Sequence, residues 1–376
     1  MDKYKMKKII WTLVLIAASL SASQAQNSQF LPGHLAVLRA GDGSVPLKLK
    51  QSPVFIDQFD PNLSNGAPSV SVAVPTNGAN AFFFNGHAAT EGMLSRSVDG
   101  RQLVFAGYGG VNLLAQPGTP AMLDIKRGFC TVDVAGNLHT LQYEPANVDD
   151  KMNPRGAATD GNNNFWGCGN ANANLYYNAG PGHSVVVFES VQSARAVKII
   201  NHVLYTTLNG PDGTVIDQPA GIYQFVDKTG ASVALPQTPD VALKLVVPAA
   251  ANYTKIAGFD ISPDKTVAYT ADTVAGVQKY VNTGGAWKFA YNFAIPQTIS
   301  TNDNHAAGCF GLVVDFKGPA PVIYATTTEG YNGTVNSNRV IRIVDTNATA
   351  TVSTVAQSGS DNIAFRGIDF TPDSGH

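Results

Sequence analysis

The chain has little charge. Asp, Glu, Lys and Arg make up 14% of its 376 residues, against a usual ~25%, so Asn, Ser, Thr and Gly must cover most of the surface. Basic and acidic residues nearly balance, 25 against 27. No basic stripe with interleaved aromatics appears either, which argues against a nucleic-acid partner. Helical periodicity is missing after the first 25 residues, and so is any later apolar run long enough to span a bilayer. The mature chain is therefore read as soluble, with no membrane span. Cysteine is scarce: Cys130, Cys168 and Cys309 show no CxxC or Cys–His spacing. An odd number leaves at least one unpaired. All three sit in or beside expected strands and read as buried thiols, with a Cys130–Cys168 bridge left open as the alternative. There is no HExxH, no GxSxG, no glycine-rich phosphate loop and no CxxCH haem site.

At the N-terminus, Lys3, Lys5, Lys7 and Lys8 precede about twelve mostly apolar residues, 9–20, and then Ser23-Gln24-Ala25. A basic segment, a short apolar core and small residues at −3 and −1 form the pattern of a cleaved signal peptide. Residues 1–25 are expected to be removed, and 26–376 to form one domain exported to the periplasm or medium.

The rest consists of short β-branched and aromatic runs between Gly, Pro, Asn and Asp clusters, which is an all-β pattern. Its clearest phrase, KIAGFDISPDKTVAYTADTVAGVQKYV at 255–281, reads as three strands. Pro263-Asp264-Lys265 turns the chain between the first two, because Pro presets φ and Asp bonds its own backbone. Copies recur from 93, 155, 194 and 309, several with Asp-Gly at the same turn (Asp99-Gly100, Asp160-Gly161). That makes five four-strand units, the outer strand of the one from 194 read near 231–235, preceded by three strands near 35–39, 54–59 and 69–74 and a Gly/Asn-rich connection at 76–92. One inner-type strand, FRGIDFTPD at 365–373, is left at the end. Such repeats, roughly 40–60 residues apart, are the mark of a β-propeller. The expected fold is a single propeller of six four-stranded blades, seven being the alternative. The C-terminal strand would close the ring inside the N-terminal three, since an open ring would expose two unpaired sheet edges.

Loops entering the inner strands should line one rim of the axis. They carry His87, Glu91, Asp149, Asp150, Arg155, Asp303, His305 and Arg366, together with Asn153, Arg195, Asn252, Lys255, Asn304, Asp361 and Asn362. Two of these loops rhyme, Asn85-Gly86-His87-Ala88-Ala89 and Asn304-His305-Ala306-Ala307. Imidazole and carboxylate from His87, Asp303 and His305 could hold a divalent cation, Ca²⁺ or Mg²⁺, and a bound ion could activate water to hydrolyse a lactone or ester. The other reading is a polar rim that binds an extracellular glycan, peptide or surface partner without chemistry, the protein acting as a monomeric binding or scaffold propeller. Asp99, Asp160 and Asp264 are read as turn residues on the opposite face. Phe165 and Trp166 are read as packing between blades, with sugar stacking as the alternative for them.

The phrases GHLAVLRAGDGS (33–44), PVFIDQFDP (53–61), ATEGMLSRSVDGRQLVFAGY (89–108), RGAATDGNNNFW (155–166) and AFRGIDFTP (364–372) resemble a group of exported bacterial propeller proteins. Its members begin approximately G-N-x-V-V-x-R-x-G-D-G and end F-R-G-x-x-F-x-P. Here His34 stands where Asn is usual. The resemblance covers essentially all of the mature chain and implies export and a propeller, but no particular activity. Some members carry a C-terminal sorting or anchoring segment. The chain ends at His376 without one, so release into the periplasm or medium is expected.

Overall fold

Strands such as Val267–Asp272 (VAYTAD) and Val322–Thr327 (VIYATT) are mostly apolar and buried along nearly their whole length. Alternation is weak because both faces of each sheet are covered, as in any sheet packed on two sides. The computed structural model describes residues 29–47, 51–86, 88–109, 125–144, 153–170, 175–180, 182–189, 192–210, 218–296, 307–329, 338–359 and 362–374. Among these, all the regular structure of any length is strand. No described helix is long and apolar enough to cross a membrane.

Six antiparallel blades result. Blade 1 runs, from the axis outward, Ala364–Phe370, Leu35–Ala40, Val54–Phe59 and Val70–Ala73. The C-terminal strand is thus the innermost partner of the first strand, in the register Leu35↔Phe370 to Ala40↔Ala364. Blade 2 is Ser95–Arg96, Gln102–Gly109, Arg127–Asp133 and Leu138–Glu144. Blade 3 is Pro154–Thr159, Phe165–Gly169, Leu175–Asn178 and Val185–Phe188. Blade 4 is Ala194–Ile200, Val203–Leu208, Gly221–Val226 and Ala242–Pro248. Blade 5 is Ile256–Ile261, Val267–Asp272, Gly276–Thr283 and Ala286–Phe293. Blade 6 is Cys309–Asp315, Val322–Thr327, Arg339–Val344 and Val352–Gln357. Each inner strand touches the inner strands of both neighbouring blades, so the ring is closed.

Each interface between blades holds its own apolar cluster. Val72 and Phe105 meet between blades 1 and 2, Phe129 and Phe165 between 2 and 3, and Trp166 and Leu204 between 3 and 4. Tyr205 and Phe259 join 4 to 5, Tyr269 and Ile323 join 5 to 6, and Val340 and Phe365 join 6 to 1. Trp166 is fully buried, and its Nε1–H donates to Pro236 O at 2.6 Å. It is interblade packing, and the sugar-stacking alternative falls. Cys130, Cys168 and Cys309 are buried free thiols, so no Cys130–Cys168 bridge exists.

Two local expectations are corrected. Residues 231–235, expected as the outer strand of blade 4, form no ladder there and touch it only at the Val226–Ser232 bridge, through Val233 N–H to Phe225 O at 2.8 Å and through Leu204 N–H to Ala234 O at 2.8 Å. Asp227 turns the chain back tightly there, and Pro236 and Pro239 prevent a continued ladder. Residues 76–92, expected as a plain connection, contain the strand Phe82–Asn85, which pairs with Tyr108 and Gly109. The strand lies where the inner strand of blade 2 is too short to cover its neighbour.

Candidate functional site

The inner strands share one irregularity. In blades 1, 3, 4, 5 and 6 the pairing of the inner strand with its neighbour slips next to a small residue: Gly367, Gly156, Ala196, Gly258 and Gly311. This is a β-bulge, and it frees backbone groups to reach across to the next blade. Met93 N–H donates to Arg155 O at 2.9 Å, and Gly367 N–H to Gly92 O at 2.7 Å. Thr207 Oγ1 donates to Ala257 O at 3.2 Å, and Thr326 Oγ1 to Arg366 O at 2.6 Å. The approach is close enough to require glycine. A Cβ on Gly258 would lie 2.7 Å from Phe310 O, and one on Gly311 would lie 2.7 Å from Arg366 O.

The residues just before these small positions are Arg366, Arg155, Arg195, Ala257 and Phe310, and Glu91 precedes Gly92 in blade 2. Three of the residues expected at the rim, Glu91, Arg155 and Arg366, are therefore brought together: the bulges of blades 1 and 3 place the two arginines beside the Glu91-Gly92 segment that leads into blade 2. They are 1%, 8% and 3% exposed, so they lie inside the molecule and not on its surface. Asn85 N–H donates to Glu91 Oε2 at 2.9 Å, and the Tyr108 hydroxyl donates to Oε1 at 2.8 Å. Burial pushes the Glu91 carboxyl up to about 7, although these two hydrogen bonds and the positive charges of Arg366 and Arg155 oppose it. Burial, and then Glu91 itself, raise Tyr108 well above the ordinary phenol range.

His87, Asp149, Asp150, Asp303 and His305 lie outside the described residues, and with them the expected cation site. Among the described residues, no three His, Cys, Asp or Glu side chains group as metal ligands would. Asp99, Asp160 and Asp264 behave as turn residues: Asp264 Oδ1 accepts from Ser262 Oγ at 2.6 Å and from Thr266 N–H at 3.1 Å. Asp99 Oδ1 does the same with Ser97 Oγ at 2.6 Å and Arg101 N–H at 3.1 Å, and Asp160 Oδ1 accepts from Asn162 N–H at 2.8 Å.

At the opposite end of the axis, where the inner strands leave the centre, lies a recess of about 400 Å³. It is lined by the inner-strand ends of blades 1, 2, 4, 5 and 6. Lys198 lines it, 3.2 Å from Asp260 Oδ2 and 3.4 Å from Asp369 Oδ2. Backbone amides hold both acids in place. Ile261 and Val314 donate to Asp260 at 3.0 and 3.1 Å, and Phe370 and Arg96 donate to Asp369 at 2.8 and 3.1 Å. Burial alone would lower the Lys198 pKa, but Asp260 and Asp369 more than offset it and the net shift is upward. Burial raises Asp260, with Lys198 opposing and Asp369 adding to the rise. On one side the Arg96 guanidinium is tied to Gly100 O at 3.0 Å and to Asp373. Sequence reasoning placed the site at the entry rim and missed this end. A signal did exist: Lys198, Asp260 and Asp369 are charged residues two positions after the small residue of their inner strands.

No protein-family model matches the chain, and no curated protein does. Solved structures similar to it include the periplasmic gluconolactonase of Pseudomonas aeruginosa, at 13% identity over 86% of this chain and 82% of that one, with a TM-score of 0.46. A nidogen/laminin complex aligns at 11% identity over 90% and 98%, with a TM-score of 0.49. A putative 6-phosphogluconolactonase from Bacteroides uniformis aligns at 13% over 91% and 84%, with a TM-score of 0.45. Similarity this remote gives no ground for carrying an activity over.

Proposed function

We propose that this is an exported, monomeric binding propeller, active in the periplasm or outside the cell, that holds a small solute in the axial recess at the exit end of its inner strands. The basic, apolar and small-residue pattern of 1–25 supports export, and the phrases that resemble exported bacterial propellers point the same way. The recess carries the binding reading. Strand ends from five blades converge on it, its charged groups are fixed by backbone amides, and it is of the size of small-molecule sites. Its chemistry suits holding more than reacting: Lys198 is engaged by two acids and is no nucleophile in that state.

One observation favours a second reading, a metal-dependent lactone or ester hydrolase at the entry rim. Glu91, buried near that rim with its pKa raised to about 7, has the tuning of a general base. The two readings separate in one set of measurements on the purified mature chain. A thermal-shift screen with neutral, cationic, anionic and zwitterionic small solutes should give stabilisation that is lost when Ile200→Trp narrows the recess. Lactone or ester turnover that needs added Ca²⁺ or Mg²⁺, and disappears in Asp303→Ala and His305→Ala, would establish the hydrolase instead. A screen with no stabilising solute of any class would end the binding reading.

A further inference from the structure

The recess says more about its ligand than that it is small. Resting on the binding reading above, we infer that the recess is a saccharide site, with Lys198, Asp260 and Asp369 holding the hydroxyls of a neutral sugar and Phe316 and Phe370 facing its apolar side.

Charge comes first. One ammonium stands between two carboxylates, all three largely shielded, with side chains 14%, 11% and 4% exposed for Lys198, Asp260 and Asp369. Arg96 is neutralised separately by Asp373. An anionic ligand would meet the excess carboxylate. A cationic ligand would find the place between the acids already filled by the Lys198 ammonium. Burying either charge without a partner is costly. A neutral polar ligand meets neither obstacle.

The hydrogen-bond inventory then narrows the class. An ammonium has three N–H donors and a carboxylate about four acceptor sites. Lys198 directs two donors at Asp260 and Asp369, which leaves one. Asp260 Oδ1 accepts from Ile261 N–H, and Oδ2 from Val314 N–H and Lys198. Asp369 Oδ1 accepts from Phe370 N–H, and Oδ2 from Arg96 N–H and Lys198. Each Oδ1 thus keeps one acceptor site, beside the remaining ammonium donor. A hydroxyl both donates and accepts through a single oxygen. Adjacent hydroxyls on a sugar ring can therefore satisfy a donor and two acceptors packed this closely, which an amine or a carboxylate cannot do alone.

The walls agree with this. Phe316 and Phe370 line the recess and are half-buried. Their ring faces carry partial negative charge and suit the weakly positive C–H groups on one side of a pyranose. Both acids are pinned by main-chain amides, so the floor needs no rearrangement to bind.

The experiment is calorimetric titration of the full mature chain with a panel of neutral monosaccharides and disaccharides, alongside acetate, phosphate, ethylamine and glycine as charged probes. At least one neutral sugar should bind, with Kd weakened tenfold or more in Lys198→Met and fivefold or more in Phe316→Ala. Phe316→Ala leaves every charge in place, so it guards against loss of binding through misfolding in Lys198→Met. Circular dichroism melting of both variants completes that check. Sugar binding unchanged by either substitution would overturn the site. A charged probe binding in the recess while all sugars fail would overturn the saccharide class and leave the binding reading intact. Failure of every probe would count against both.

Discussion

Glu91 shows how a residue legible in the sequence can take a different place in the fold. Its position in a loop before an inner strand marks it as a rim residue, and it does lie beside Arg155 and Arg366. All three, however, lie inside, where Glu91 is 1% exposed. Its carboxyl is raised from an ordinary 4.5 to about 7 by burial. Between those values the folded protein keeps a proton that the unfolded chain has released, so this contribution to stability is fully present below about pH 4.5. It falls as pH rises and is gone above about 7. The whole effect is about 3 kcal/mol by linkage. Urea unfolding at about pH 5 and about pH 8 should show the wild type less stable at the higher pH, and Glu91→Gln should flatten that difference. An unchanged pH slope in the variant would mean that Glu91 does not carry the proton. Cys130, Cys168 and Cys309 were equally readable as buried thiols, and burial raises all three thiol pKa values, Cys168 to about 12.

At the scale of the element, the hairpin phrase was readable because its signals are local. Ser262 O accepts from Lys265 N–H at 2.8 Å, and in blade 2 Ser97 O accepts from Gly100 N–H at 2.9 Å. Both turns use an Asp to bond the backbone two residues on. The outer strand of blade 4 was misplaced for the opposite reason. Residues 231–235 and Ala242–Pro248 are both adequate strand formers, and only pairing with Gly221–Val226 chooses between them. The bulge is the element's other lesson, since Gly258 looks in sequence like a mild defect in an apolar strand. In the ring it sits 2.7 Å, by its absent Cβ, from the backbone of blade 6. Gly258→Val should therefore cost about 3 kcal/mol or more, through overpacking against backbone that cannot retreat. Gly180→Ala, with nothing within 4 Å of the added carbon, should stay within about 0.5 kcal/mol of wild type. Equal denaturation midpoints for the two variants would refute the close approach of the inner strands.

For the molecule as a whole, closure is what joins the two ends of the chain. Ala364–Phe370 supplies the inner strand of blade 1 and packs against blade 6 through Phe365 and Ile368. It also binds blade 2 through Gly367 N–H to Gly92 O, and the residues after it add Asp373 N–H to Gly100 O. Deleting residues 365–376 should leave Leu35–Ala40 without its inner neighbour and give aggregated protein by size-exclusion chromatography. A truncated chain that stays monomeric with unchanged melting would contradict the closed ring.

The structure chose six blades over seven and added the strand Phe82–Asn85, but the all-β class, the repeated hairpins and the joining of the two ends were legible in the sequence alone. Each rests on signals within a few residues: turn chemistry, apolar runs, and a count that left three strands and one without partners. Where the chain gathers its polar groups was decided only by the tertiary structure. Lys198, Asp260 and Asp369 are some 60 to 170 residues apart along the chain. Nothing local to any of them indicates that a bulge turns each inner strand so that all three meet at one end of one axis. Their proximity follows from the twist and closure of six blades, which no single stretch of sequence contains.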